Sequence, residues 1–246
     1  MAACSATAVT GLGEPHLDAG RVEEGQDACA ARPLVEFRNI MTPALAEAMS
    51  ATDEVTCAAV HSSAAVLGTR HGSVLQVDMT GAGVKRVSTN NARVHAVSLD
   101  ASGSFCACGL GDGRVAVLPL PGRAEGETWI FEHWQQPVLA VAICPEYASA
   151  GADSRAVCAG GEEGRLVLHR RSRLGAYTII HEGEGFVTRI CWRSPFVAWA
   201  NDKGIKIYNV ATRERVAFIA RPPGSLGTSV TCRCSLAWAA EDWLLI

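Results

Sequence analysis

Short runs of β-branched and small apolar residues, separated by turn residues, follow one another along the chain from Val55 to its end. Runs of about four to eight residues bounded by Gly, Asp, Asn and Ser are typical of strands joined by hairpins, and helical periodicity is almost absent. The plainest turns are His71-Gly72-Ser73, Gly111-Asp112-Gly113, Glu163-Gly164-Arg165 and Lys203-Gly204-Ile205. Glycine is favoured there because tight hairpin turns require a positive φ. The pattern predicts an all-β domain.

The glycines at positions 72, 113, 164 and 204 recur at intervals of 41, 51 and 40 residues. Two intervals match the period of roughly 40–45 residues of a four-stranded propeller blade, and a polar insertion from Pro145 to Arg155 accounts for the longer one. The sequence therefore predicts a WD-type β-propeller with strands A to D in each blade. The repeats are divergent, because the Trp-Asp pair that ends strand C in typical repeats is replaced. The replacements are Val77-Asp78, Leu118-Pro119, His169-Arg170 and Tyr208-Asn209.

Four blades are predicted, and a fifth has only begun. The predicted strands of the first two blades are Val55–His61, Ala64–Thr69, Ser73–Asp78 and Val84–Val87, then Val94–Leu99, Phe105–Gly109, Val115–Pro119 and Trp129–His133. Those of the next two are Val138–Cys144, Ala156–Gly160, Leu166–Arg170 and Ala176–His181, then Val187–Trp192, Phe196–Ala200, Ile205–Asn209 and Val216–Ala220. The fifth blade would contain Cys232–Trp238 and Trp243–Ile246. The B strands are small and apolar, which suits burial on both faces between neighbouring blades.

The beginning and end of the chain shape the predicted domain. Residues 1–32 are acidic, rich in Ala and Gly and without apolar periodicity, so they are expected to form a disordered tail before a domain at 33–246. Leu34–Ile40 resembles an outer strand that would complete the last blade and close the ring. At about 42 residues a blade, the remaining length holds between four and five blades. We therefore expect an incomplete propeller that exposes an apolar blade face.

Composition narrows the classes of function. The 246 residues include 22 Lys and Arg against 25 Asp and Glu, for a net charge of −3, and 48% are hydrophobic. This balance argues against a nucleic-acid binder driven by bulk positive charge and against a wholly disordered chain. No run approaches the roughly 20 apolar residues of a membrane span, and the first residues lack the basic start of a signal peptide. We expect a cytoplasmic protein with free thiols.

The candidate catalytic and metal-binding motifs are weak. Gly109-Leu-Gly-Asp-Gly113 could cradle a phosphate only before a helix, whereas a strand follows here, so it is interpreted as a hairpin turn. Cys106-x-Cys108 and Cys232-x-Cys234 each place two thiols on one face of a strand, where packing is favoured over a zinc or redox site. The seven histidines are scattered, with His133 and His181 in positions where WD-type repeats place a structural histidine. We expect no enzymatic activity, no metal and no cofactor.

Two further groups of residues are candidates for binding or packing. The densest basic cluster accompanies His169 near the C–D hairpin of the third blade and consists of Arg165, Arg170, Arg171 and Arg173. A solvated rim loop is the favoured interpretation, and a docking patch for an acidic protein or an anionic lipid is the alternative. Four tryptophans in successive A and B strands are expected to pack in the core: Trp192, Trp199, Trp238 and Trp243.

The fourth blade carries a more specific pattern. It reads His181-Glu-Gly-Glu-Gly185, then Trp192, then Val197-Ala-Trp-Ala-Asn-Asp-Lys-Gly-Ile-Lys-Ile-Tyr-Asn209. With Leu67-Gly-Thr-Arg-His-Gly-Ser-Val-Leu-Gln-Val-Asp78 and Cys234-Ser-Leu-Ala-Trp238, it resembles the N-terminal propeller of the vacuolar protein sorting-associated protein forty-one family, over roughly residues 33–246. The signature residues are expected to serve blade architecture: His181, Glu182, Gly183, Glu184, Gly185, Trp192, Trp199, Asn201 and Gly204.

The resemblance implies a non-enzymatic scaffold of the homotypic fusion and protein sorting (HOPS) tethering complex. Such a subunit would act when late endosomes, autophagosomes and other vesicles fuse with the lysosome or vacuole. Its implied partners are other HOPS subunits, a late-endosomal Rab GTPase system and, in some relatives, a clathrin-type adaptor, with peripheral membrane association through these partners and no nucleic acid. Family members continue into an α-solenoid and a RING-like domain, and we find neither in this sequence. The alternative is a generic WD-repeat scaffold in a ubiquitin- or RNA-associated complex.

Overall fold

The computed structural model describes residues 42–80, 83–89, 91–132, 134–151, 154–171, 177–222, 234–239 and 243–246. All of them belong to one compact unit, Asn39–Ile246. The predicted tail at 1–32 and the predicted closing strand Leu34–Ile40 lie outside the described residues, so both stay predictions.

A short helix, α1 (Pro43–Ala48), precedes the first sheet and was not predicted. Thr42 caps its start, because the threonine backbone is extended and its side-chain oxygen accepts a hydrogen bond from the Leu45 amide. Pro43 suits the first helical turn, where its missing N–H has no intrahelical partner. Leu45 is fully buried against Leu67, Leu75 and Val77 of the first sheet. Six residues are too few to show a helical period, which explains the omission.

Four antiparallel four-stranded sheets form the four blades. The first two sheets contain β1 (Val55–His61), β2 (Ala64–Thr69), β3 (Ser73–Asp78) and β4 (Val84–Thr89), then β5 (Val94–Leu99), β6 (Phe105–Leu110), β7 (Arg114–Pro119) and β8 (Trp129–Glu132). The next two contain β9 (Val138–Ile143), β10 (Ala156–Gly161), β11 (Leu166–Arg170) and β12 (Tyr177–His181), then β13 (Arg189–Arg193), β14 (Phe196–Asn201), β15 (Gly204–Asn209) and β16 (Glu214–Ala220). Every predicted strand of these blades is confirmed, with ends within about two residues.

The fifth blade is represented by a two-stranded sheet of β17 (Ala237–Trp238) and β18 (Leu244–Leu245). Both strands are shorter than predicted, and Cys232 lies outside the described residues. Trp243 is 66% exposed, so the prediction that it packs in the core is wrong. A two-stranded sheet covers too little surface to bury a large side chain at its end. Trp199 is 1% exposed, as predicted, and Trp192 and Trp238 are half-buried.

The blades are arranged around their first strands. β1 contacts β5, β5 contacts β9, and β9 contacts β13. These strands line a cavity of about 790 Å³. The turn glycines have the positive φ that the pattern required, with values of 93° at Gly72, 87° at Gly113, 71° at Gly164 and 144° at Gly204. The predicted WD-type propeller architecture is confirmed for the described blades.

The core lies between neighbouring blades. Every residue of β2, β6 and β10 is buried, as is all of β14 after Phe196. A glycine near the end of strand B packs against a valine at the start of the next blade. A Cβ added at that glycine would lie only 2.5 to 2.9 Å from the valine side chain. The pairs are Gly68 with Val94, Gly109 with Val138 and Gly160 with Val187. Close approach of consecutive blades therefore depends on the absence of a side chain at this position.

Hydrogen bonds also join the A–B loops of consecutive blades. The His61 ring lies 3.2 Å from the Ala101 carbonyl oxygen, and the Ala101 amide donates to the Pro145 carbonyl at 2.9 Å. The Ser194 hydroxyl donates to the Glu146 carboxylate at 2.6 Å. The loops of all four blades are thus linked on one face of the propeller.

Replacing Gly68 tests the packing between the first two blades. A Cβ at Gly68 would lie 2.5 Å from Val94 Cγ1 and 2.6 Å from Cys57 Sγ. We expect Gly68→Ala to lower the free energy of unfolding by about 2–3 kcal/mol, because overpacking displaces neighbouring side chains. Urea unfolding of the 246-residue chain measures the change.

Gly151→Ala is the matched control, because a Cβ at Gly151 meets no atom within 4 Å. Adding Val94→Ala to Gly68→Ala should cost less than the sum of the single changes, since the valine methyl groups cause the clash. Equal unfolding midpoints for Gly68→Ala and Gly151→Ala would contradict the proposed packing.

Candidate functional site

The fourth-blade signature converges on Asn201, at the turn between β14 and β15. Its Oδ1 accepts hydrogen bonds from the amides of Lys203 at 3.0 Å and Gly204 at 3.2 Å, and from Lys206 Nζ at 3.3 Å. Three donors on one oxygen fix the side-chain amide with its nitrogen pointing away. That nitrogen lies 3.2 Å from His181 Nε2. Asn201 therefore connects strand D of the third blade to strands B and C of the fourth.

Lys206 is the most deeply buried cation of this network. It follows Ile205 on β15, a strand whose first three residues are buried, and is itself 1% exposed. Its ammonium contacts the Glu184 carboxylate directly and lies 4.9 Å from the centre of the Phe218 ring. The hydrogen bond from Lys206 holds the pKa of Glu184 below its usual value. Glu184 thus provides the negative partner without which the buried Lys206 ammonium would be strongly destabilising.

His181 ends β12 and packs against Trp199, with ring centres 5.5 Å apart. His181 Nε2 lies 3.2 Å from the Asn201 amide nitrogen and 3.4 Å from a Glu184 carboxylate oxygen. Burial, followed by the nearby Lys206 charge, lowers the pKa of His181. The structural role of His181 stays a prediction, and His133 lies outside the described residues.

The remaining signature residues shape the turn that carries Glu184. Gly183 and Gly185 have positive φ, and a Cβ at Gly185 would lie 1.9 Å from the Asp202 carboxylate. Glu182 is exposed in the same turn. Lys206 and Phe218 were not among the predicted signature residues. The available signal was a lysine between Ile205 and Ile207 on a predicted strand, because a lysine buried in a strand requires a carboxylate nearby.

The four predicted binding arginines do not lie together. Arg165 lies just before β11 and pairs with Glu163, whereas Arg170 ends that strand, about 17 Å away at 3.4 Å per residue. Arg170 and Arg171 are half-buried and adjacent. Arg173 lies outside the described residues. His169 is buried against Phe131, 4.3 Å between ring centres, so it does not contribute to a basic surface. Binding by any of these arginines stays a prediction.

The cysteine thiols described next are buried or half-buried, in positions where they pack against neighbouring side chains. Cys106 and Cys108 are fully buried, with sulfur atoms 3.7 Å apart, and the hydrogen bond with Cys106 and burial raise the pKa of Cys108 well above its usual value. Burial raises the pKa of Cys144 to about 11 and of Cys191 to about 12. Within the described ranges, no group of three or more His, Cys, Asp or Glu side chains could hold a metal ion.

The fold and the fourth-blade signature together show which class of protein this chain belongs to. Four-stranded blades arranged around their first strands, each linked to the next, are those of a WD-type β-propeller. The family model for the Vps41 propeller, described as "Vps42 beta-propeller", matches residues 43–246. The chain belongs to the β-propeller family of vacuolar protein sorting-associated protein 41.

Individual relatives agree with the family model. A vacuolar protein sorting-associated protein 41 homolog from Danio rerio is 31% identical over 196 residues, covering 79% of this chain and 22% of the relative. The homolog from Solanum lycopersicum is 35% identical over 173 residues, covering 70% of this chain and 17% of the relative. The chain thus spans about a fifth of the length of these curated relatives.

A solved structure shows the same fold at low sequence similarity. A chain in the crystal structure of the Mitotic Checkpoint Complex superimposes with a TM-score of 0.56 at 18% identity, covering 70% of this chain and 52% of that one. The likeness is one of fold alone. Among the described residues, no helix has the length and apolar character needed to cross a bilayer.

Glu184→Gln tests the ion pair with Lys206. The substitution leaves a buried ammonium without a negative partner, so we expect the free energy of unfolding to fall by about 2 kcal/mol. Glu182→Gln is the matched control, because Glu182 is exposed in the same turn. Urea unfolding measures both variants, and an equal effect of the two would show that the pair contributes nothing.

The lowered pKa of His181 predicts a pH dependence of stability. The unfolded chain, in which the histidine has its ordinary pKa of 6.5, binds the proton more readily than the folded chain. Stability should therefore be fully present above pH 6.5 and decline as the pH falls below it, before the carboxylates titrate. In His181→Gln the decline between about pH 6.5 and 5 should be smaller. Chemical unfolding at several pH values measures it, and identical pH profiles would contradict this role.

Proposed function

We propose that this chain is a non-enzymatic interaction scaffold of the HOPS vesicle-tethering complex. Membership of the vacuolar protein sorting-associated protein 41 family, over residues 43–246, is the observation that carries this proposal. The relatives' names place them in vacuolar protein sorting. The described blades support a scaffold, because rigid sheets hold loops on two faces and a rim, which are surfaces for binding other proteins.

The proposed process is fusion of late endosomes, autophagosomes and other transport vesicles with the lysosome or vacuole. The proposed partners are other HOPS subunits, a late-endosomal Rab GTPase system and a clathrin-type adaptor. The protein would be cytoplasmic and would associate peripherally with late endosomal and lysosomal or vacuolar membranes through these partners. The Lys206–Glu184 ion pair and the hydrogen bonds of Asn201 support a structural rather than a chemical role for the family signature.

Affinity purification tests the assignment. The tagged chain should recover other tethering subunits from a cell extract, as identified by mass spectrometry. Gly68→Ala is a control bait, because loss of blade packing should reduce specific recovery. Enrichment of ubiquitin-ligase or RNA-associated proteins in place of tethering subunits would favour the generic WD-repeat scaffold and overturn the proposal.

A further inference from the structure

The outer strand of the fourth blade, β16, has a free edge. Among the described strands it pairs only with β15, so its other edge faces away from the sheet. With seven residues it is the longest of the four outer strands, since β4 has six, β8 has four and β12 has five. Every residue of β16 except Ala217 is exposed. A free edge of this length is a place where another strand can pair.

Large apolar side chains accompany this edge. Val216 is 52% exposed and Phe218 is 47% exposed. The Phe218 ring centre lies 4.9 Å from the ammonium of Lys206, which in turn contacts Glu184 in the turn between the third and fourth blades. Phe218 is therefore on the side of the third blade, whose four strands are all described. Its exposure does not result from an absent neighbouring sheet.

Charged side chains commonly protect the outer strands of a sheet from unwanted pairing. On β4 the exposed Lys85 and Arg86 serve this purpose, and on the short strand β8 the exposed Glu132 does so. From Val216 to Ala220, β16 contains no charged residue. This part of the edge is thus both apolar and unprotected, which favours a partner that covers it.

The register of β16 shows which backbone groups are free. The Arg221 amide donates to the Lys203 carbonyl oxygen at 3.0 Å, and the pairs that follow are Ala220 with Gly204 and Phe218 with Lys206. Hydrogen-bonded and non-hydrogen-bonded pairs alternate along an antiparallel ladder. Counted from the Arg221 pair, Ala220 and Phe218 do not hydrogen-bond to β15. Their N–H and C=O groups point to the free edge.

Arginines lie at both ends of β16. Arg213 and Arg215 are exposed at its start, Arg221 follows its end, and Glu214 is the only acidic residue between them. Within the described part of the chain, no carboxylate oxygen lies within 4.0 Å of a side-chain nitrogen of Arg213 or Arg215. Antiparallel pairing with β16 of a second copy would place Arg213 of one copy near Arg221 of the other, and opposed like charges are destabilising. The charges favour a different strand with carboxylates at both ends.

We propose that β16 binds an extended segment of a partner protein by strand addition, and that this segment is apolar at its centre and acidic at both ends. Its backbone pairs with the outward N–H and C=O groups of Phe218 and Ala220. Its apolar side chains cover Val216 and Phe218, and its carboxylates meet the flanking arginines. A partner strand would serve the proposed scaffold function, but this proposal rests on the geometry of the fourth blade.

Fluorescence anisotropy with a labelled synthetic peptide tests the proposal on the 246-residue chain. The peptide alternates Val and Thr over the length of β16 and carries Asp and Glu at both ends. The wild type should bind it, with affinity falling as ionic strength rises. The control peptide has Lys in place of Asp and Glu, and it should bind at least roughly tenfold more weakly because its charges oppose the arginines.

Ala220→Pro tests the backbone pairing. Proline removes the outward N–H but no hydrogen bond to β15, and proline is tolerated on an edge strand when its nitrogen faces outward. We expect binding of the acidic peptide to weaken at least roughly tenfold, with little change in urea unfolding. Ala220→Ser is the matched control, because it keeps the N–H, and it should bind within about twofold of the wild type.

The flanking charges are tested separately, which keeps the proposal falsifiable if the proline variant fails to fold. Arg213→Gln with Arg215→Gln should weaken binding of the acidic peptide at least roughly tenfold. Arg93→Gln with Arg123→Gln is the matched control, because it removes two exposed arginines from other blades and changes the net charge equally. Equal losses in the two double variants would contradict the proposal.

Hydrogen exchange followed by NMR distinguishes strand addition from contact through charge alone. The amides of Phe218 and Ala220 should exchange rapidly in the free chain and become protected when the peptide binds. No binding by the wild type, or binding that leaves both amides unprotected, would overturn the proposal. Protection of both amides in the free chain, with a dimer seen by light scattering, would overturn it in favour of a second copy. The peptide assay needs no tethering subunit, so its failure is distinguishable from failure of the proposed function.

Discussion

Close approach of neighbouring blades is the constraint on which the rest of this structure depends. Gly68, Gly109 and Gly160 have no side chain, and a valine of the next blade occupies the space beside each of them. In the fourth blade Ala200 holds the equivalent position, and Leu236 packs there. Both faces of strand B are consequently buried, which favours apolar residues there and a small residue, glycine or alanine, at the point of closest approach. The resulting stack of sheets supports the loops on its two faces.

The family signature solves a problem that this packing creates. The first half of strand β15 is buried and leaves no solvent for a charged side chain, yet Lys206 lies there. The turn from His181 to Gly185 brings Glu184 to that lysine, and Asn201 holds both the turn of its own blade and the histidine of the preceding one. The signature motif thus contacts both the third and the fourth blade, through His181 and Asn201.

Much of the fold could be predicted from the sequence, because glycines in the hairpin turns recur once in each blade and so mark the repeat. Glycine at positions 72, 113, 164 and 204 marks hairpins whose φ only glycine adopts readily, and strand limits follow from the apolar runs between them. The helix at Pro43–Ala48 was missed because it is held by a cap and one buried leucine instead of a periodic face. The arginines were grouped by their proximity in sequence, but a strand separates Arg165 from Arg170.

The linked A–B loops connect the four described blades mechanically on one face of the molecule. The contacts from His61 to Ala101, from Ala101 to Pro145 and from Glu146 to Ser194 run from one blade to the next. A force applied along this face loads several of these bonds together, whereas a force on an outer strand such as β16 can peel its hydrogen bonds one after another. Resistance to forced unfolding is set by the barrier that is crossed first. The direction in which tension is applied should therefore determine how many of the bonds between blades carry the load together.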